Sequence, residues 1–119
     1  MNHRDRVICE KIVTYCEEID GTHKMFEDNE ELFHSDQTGF VYRNAISMPI
    51  MQIGELAKSL SDEFVEKCQV LPWKEIKGMR DHFAHGYGKM NRTKIWKTSH
   101  DDISLLYSTL SEILNNEKD

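Results

Sequence analysis

Apolar residues return every three or four positions along most of this 119-residue chain, the period of helices that bury one face. Ile8, Ile12, Tyr15, Cys16 and Ile19 form one stripe and predict a helix from near His3 to Ile19, with Gly21 as its stop. Thr22 is placed to cap a second short helix through Phe33, with Met25, Phe26 and Leu32 inward and the acids from Asp28 to Glu31 outward. A longer helix is expected from about Asp36 to Leu60. Val41, Ala45, Met48, Ile53, Leu56, Ala57 and Leu60 line it, and Pro49 should kink or break it. Ser61 then caps a brief helix through Cys68. Pro72-Trp73 opens the next helix, whose inner stripe is Trp73, Ile76, Met79 and Phe83 and whose end is marked by Gly86 and Gly88. A last helix, from about Thr93 to Leu114, buries Ile95, Trp96, Ile103, Leu106, Leu110 and Ile113. No segment alternates with period two. The reading is all-α: a bundle of four main helices with short additional helices, in one domain over residues 1–119.

Composition narrows this picture. With 39% apolar and 30% charged residues the chain reads as a globule. No apolar run approaches the ~20 residues of a membrane helix. The N-terminal MNHRDRVICEK carries charges where a secretory leader would be apolar. Cys9, Cys16 and Cys68 are odd in number and lack a Cys-x-x-Cys spacing, which argues against a disulfide scaffold or a thiolate zinc site. A reducing cytoplasm is the expected location. The net charge of −6 is unevenly placed. The segment Lys74 to Lys97 holds Lys74, Lys77, Arg80, Lys89, Arg92, Lys94 and Lys97 against only Glu75 and Asp81. A basic stretch on an acidic body fits a phosphate-bearing ligand, and it fits equally a solvated helix face. The acidic remainder suits a positively charged protein partner.

The chemistry concentrates between Gly78 and Gly88. Arg80, Asp81, His82, His85 and Tyr87 place a guanidinium, a carboxylate, two imidazoles and a phenol within eight positions. Arginine binds phosphate oxygens in a planar fork. Histidine moves protons near neutral pH. Tyrosine hydrogen-bonds a phosphate or stacks on a base. Other readings stand beside this one. His82 and His85 form a His-x-x-His pair that could offer two metal ligands, with Arg80 as an unsuitable neighbour. His82 alone reads as a packing residue. Tyr87 could be a core aromatic, and Asp81 a salt-bridge partner of Arg80 or Lys77.

Arg80-Asp81-His82-Phe83-Ala84-His85-Gly86-Tyr87 has the Arg-x4-His-x-Tyr form of HEPN-domain proteins and resembles the HepT family of toxin ribonucleases. The resemblance covers nearly the whole chain. Arg4-Asp5-Arg6, Gln52-Ile53-Gly54-Glu55-Leu56-Ala57, the run Pro72-Trp73-Lys74-Glu75-Ile76-Lys77-Gly78-Met79-Arg80 and Ile95-Trp96 all fall in the family's order. Asp81 stands where HepT proteins often have Asn, Asn91 where they commonly have Asp, and Pro49 is unusual within the long helix.

The resemblance implies a single HEPN domain and a cytoplasmic, metal-independent endoribonuclease without cofactors, active as a homodimer with one composite cleft between two motifs. It implies a toxin of a type II- or VII-like toxin–antitoxin pair, acting on tRNA or mRNA. Arg80, His85 and Asp81 would be catalytic, with Glu55 and His82 in support. Lys77, Lys89 and Arg92 would bind RNA. Tyr87 would position RNA and accept AMP from a minimal nucleotidyltransferase antitoxin, MntA. Two other classes remain open: a non-catalytic HEPN subunit that binds nucleotide or scaffolds a nucleotidyltransferase complex, and a metal-dependent hydrolase built on His82 and His85.

Overall fold

The computed structural model describes residues 1–84 and 89–117, with the side chains of 81–84 and 89–91 left outside the description. Among the described residues there are six helices and no strand: α1 His3–Met25, α2 Glu30–His34, α3 Phe40–Lys58, α4 Asp62–Lys67, α5 Trp73–Ala84 and α6 Lys89–Asn116. The all-α bundle follows. α3 packs between α1 and α5, and α6 packs along α1. Ile8, Ile12, Ile19, Ile46, Ile50, Ile53, Ile76, Leu106 and Leu110 fill the seams. No helix is long and apolar enough to cross a membrane.

Several boundaries correct the sequence pattern. Gly21 does not end α1, which runs about one turn further to Met25. An interior glycine weakens a helix by about 1 kcal/mol relative to alanine, and here the packing of His23 and Phe26 against Tyr42 and Trp96 outweighs that. The chain turns instead at Glu27 and Asp28, both with positive φ (55° and 51°). Thr22 is therefore no cap; its hydroxyl donates to Glu18 O inside α1. The second helix shrinks to Glu30–His34, capped by Asn29, and Met25 is 81% exposed. α3 continues through Pro49, and its buried stripe is rotated to Tyr42, Ile46, Pro49, Ile50, Ile53 and Ala57. Val41 and Met48, expected inside, are 54% and 58% exposed. On α6, Leu114 is buried while Trp96 and Ile113 are only partly so.

Tyr42 explains the rotation of α3. Its ring stacks on Phe26 with centroids 4.3 Å apart and meets Phe33 and Trp96 edge-on at 5.2 and 5.9 Å. This aromatic knot joins the end of α1, α2, and the starts of α3 and α6. Each such pair adds about 0.5–1.5 kcal/mol beyond simple burial.

A second tie is polar. Asp5 is buried on α1, and its carboxylate accepts from Ser61 N at 2.9 Å and from Ser61 Oγ at 2.6 Å. Ser61 Oγ in turn accepts from Phe64 N and caps α4. Asp5→Ala would remove the carboxylate that accepts from both Ser61 donors. It should lower stability by about 2–3 kcal/mol, readable as a lower urea midpoint, with Asp5→Asn losing less because one acceptor survives.

The three cysteines are buried thiols. Burial pushes Cys9 and Cys16 up to about 12, so both are core residues rather than nucleophiles.

Candidate active site

α5 is anchored before it delivers any functional group. Leu71 and Trp73 are buried, and Trp73 Nε1 donates to Cys68 O at 2.9 Å while its ring meets Phe64 edge-on. Pro72 O accepts from Ile76 N, so proline opens the first turn without a lost bond. Ile76 and Met79 then bury against α3. Gly54 on α3 makes this approach close: a Cβ there would stand 3.2 Å from Ile76 O and 3.4 Å from Arg80 N.

One turn past Ile76, Arg80 emerges on the exposed side of α5. Its Nε lies 2.8 Å from Glu55 Oε1, and the two side chains are 51% and 48% exposed. Lys58 Nζ approaches the same carboxylate oxygen at 3.8 Å. One carboxylate thus serves two cations, and the patch stays positive. The geometry holds the guanidinium across α3 and α5 while leaving it at the surface.

The other expected residues divide as follows. Lys77 is on α5 and half-buried. Asp81 and His82 belong to α5 and Lys89 opens α6, with side chains outside the described residues; His85 and Tyr87 lie outside them altogether. Arg92 reaches the α2–α3 connection instead of solvent. Its Nη1 donates to Asp36 Oδ1 at 2.7 Å and to His34 O at 3.2 Å, and the side chain is mostly buried. These bonds tie the first turns of α6 to the α2–α3 connection.

The pattern of apolar positions gave no weight to His23, Asp28 and His100. His23 Nε2 lies 2.9 Å from Ser99 Oγ and its Nδ1 lies 2.5 Å from Tyr42 Oη. His100 Nε2 lies 2.9 Å from Asp28 Oδ1, and the two imidazole centroids are 3.9 Å apart. Burial, with His100 adding to it, pushes the His23 imidazole down to about 4. Burial also works against charge on His100, but its bonds to Asp28 and Trp96 O outweigh this and move it upward. The available signal was a histidine at the next step of the 12–16–19 stripe.

A helical bundle with an arginine held at the surface ahead of a His-x-Tyr segment defines a HEPN-type protein. The family described as "Ribonuclease HepT-like" matches residues 8–113, and the chain belongs to it. Among individual relatives, the chain is 47% identical over 66 residues to "Putative RNase TTE0752" of Caldanaerobacter subterraneus subsp. tengcongensis, covering 56% of this chain and 59% of that protein. It is 30% identical over 77 residues to "Probable ribonuclease HepT" of Thermococcus cleftensis, covering 65% and 66%. "Putative RNase MJ0125" of Methanocaldococcus jannaschii is 27% identical over 85 residues, 68% and 73% of the two chains. The match thus spans about six-tenths of the first two relatives' own length. No solved structure matches the chain.

Proposed function

We propose that this chain is a metal-independent endoribonuclease toxin, acting in the cytoplasm as a homodimer and silenced by an MntA-like nucleotidyltransferase. The observation that carries the reading is Arg80, pinned to Glu55 at the surface of α5 immediately before His85 and Tyr87 in a chain of the HepT-like family. In the reaction, the ribose 2′-oxygen loses its proton and bonds to phosphorus, and the bond from phosphorus to the 5′-oxygen breaks. The products are a 2′,3′-cyclic phosphate and a 5′-hydroxyl. His85 of one copy takes the first proton and His85 of the other supplies the second to the leaving oxygen. Arg80 offsets the charge that grows on the non-bridging oxygens. Asp81 orients this set, with Glu55 and His82 in support, and Lys77 and Lys89 bind flanking phosphates.

One subunit offers a single Arg80–His85 pair, and two-fold pairing doubles it. An apolar strip supports such pairing. Val41 and Met48 are exposed seven residues apart on α3, and the next step of seven reaches Glu55. A second copy seated there would bring two Arg80 side chains to one seam.

Tyr87 is the proposed acceptor of AMP units. A phenyl ester of AMP adds bulk and negative charge where substrate phosphate would bind. The test is intact-mass spectrometry of the chain made alone and together with a minimal nucleotidyltransferase, followed by incubation with tRNA in chelator. Added AMP mass on the Tyr87 peptide, absent in Tyr87→Phe, with cleavage only by the unmodified chain, is the expected result. Neither modification nor cleavage would favour the non-catalytic HEPN subunit, and cleavage abolished by chelator while the fold melts as before would favour a metal-dependent hydrolase.

A further inference from the structure

We propose that His23, Asp28 and His100 form a binding site for one divalent transition ion of the zinc class, which clips the end of α1 to α6. The inference is independent of the ribonuclease reading. Two histidines and a carboxylate are a recurrent zinc ligand set, with water completing the shell. His23 Nδ1, Asp28 Oδ1 and His100 Nε2 all lie within 4.8 Å of one another. A tetrahedral ion about 2.1 Å from each ligand needs them about 3.4 Å apart. The Asp28–His100 and Asp28–His23 separations of 2.9 and 3.6 Å straddle that value.

The hydrogen bonds on the far side of each ring are what turn this proximity into a site. Trp96 O can only accept, so His100 Nδ1 at 2.9 Å must carry its proton there, and the Nε2 lone pair is left toward Asp28 once the ring is neutral. Ser99 Oγ donates its own proton to Trp96 O at 2.7 Å. It must therefore accept from His23 Nε2–H, which leaves the Nδ1 lone pair on the inner side. Zinc-bound histidines are held in this way, with the outer N–H donated to a carbonyl or an oxygen acceptor. The Tyr42 hydroxyl now donates to His23 Nδ1 and would have to turn away on binding.

Access agrees with a small ion. The cluster lines a cavity of about 490 Å3, open to solvent, with Ser104 on its wall beside Glu17, Asp20 and Lys24, the last paired with Asp20 at 2.8 Å. This leaves room for the water ligands. Asp28 comes from the left-handed turn that ends α1 and His100 from the second turn beyond Arg92 on α6, so an ion here would lock the approach of α6 to α1.

The test uses the full chain, stripped with chelator and titrated with cobalt(II) and then zinc. The expected result is one ion per chain, with the intense visible absorption of tetrahedral cobalt, displaced by zinc. Asp28→Asn and His100→Gln should each weaken binding at least about tenfold, since even outer partners of a metal site contribute about 10–100-fold. The double variant His82→Gln with His85→Gln should bind as the parent does. Zinc should also shift the ring resonances of His23 and His100 in the unsubstituted chain, a readout that does not depend on any variant folding. Binding that is absent, or that survives at Asp28 and His100 but is lost in the motif variant, would overturn the proposal.

Discussion

Replacing His85 with alanine is expected to reduce RNA cleavage by at least about 10²–10⁴-fold, the range that one positioned acid–base group supplies, because in a homodimer it removes both. Proton transfer is the step that water performs poorly here. In the proposed reaction the 2′-hydroxyl loses a proton as it attacks, and the 5′-oxygen gains one as it leaves. Histidine is the side chain in the motif suited to both near neutral pH. Stability should not change in proportion. The core that holds α5 is built from Trp73 against Phe64 and from Ile76 and Met79, all before the motif's histidine. The check is a cleavage time course on tRNA beside thermal melts of both proteins. A variant that melts like the parent and cleaves at full rate would refute the role. Mixed dimers add a finer readout. If each copy supplies one proton-transfer group, a dimer with a single intact His85 should already fall about 10²-fold or more below the parent, well under half its rate.

The fold was legible wherever one rule governed a segment. Pro72-Trp73 opens α5 as expected because proline at a first turn and a buried tryptophan agree. Ser61 caps α4 for the same local reason. The errors arose where tertiary packing overruled local preference. Gly21 is a sound stop signal, yet His23 and Phe26 beyond it are held by Tyr42 and Trp96, residues far along the chain. On α3, Val41 and Met48 have the right spacing for a core stripe, and so do Tyr42, Ile46 and Pro49. The aromatic knot decides between them. At the candidate site the motif is legible as a string, but the contacts around Arg80 and Arg92 are not. Arg80 and its motif stand out as a sequence string, whereas Gly54's role is a close approach between helices, and Arg92's role is a bond to a residue 56 positions away. Neither leaves a periodic trace.

Arg80→Ala should lower kcat/KM for RNA by about 10²–10³-fold, the usual consequence of losing one preorganised donor at a site of growing charge. Arg80→Lys should recover only part of this, because a lysine keeps the charge without the planar fork. Glu55 makes the argument sharper. The Glu55–Arg80 pair is about half exposed, and such pairs stabilise a fold by only ~0–1 kcal/mol. Glu55→Gln should therefore leave the urea midpoint nearly unchanged. If the carboxylate serves to aim the guanidinium, the same variant should still lose activity, by up to about 10²-fold, the scale of an ångström of misplacement. The loss should fall on kcat more than on KM, since aim matters most as charge develops on phosphorus. Glu55→Gln with parental kcat would make the pair a surface contact, and Arg80 would then act without it. An equal fall in activity and stability would mean that Glu55 holds α3 to α5 and no more.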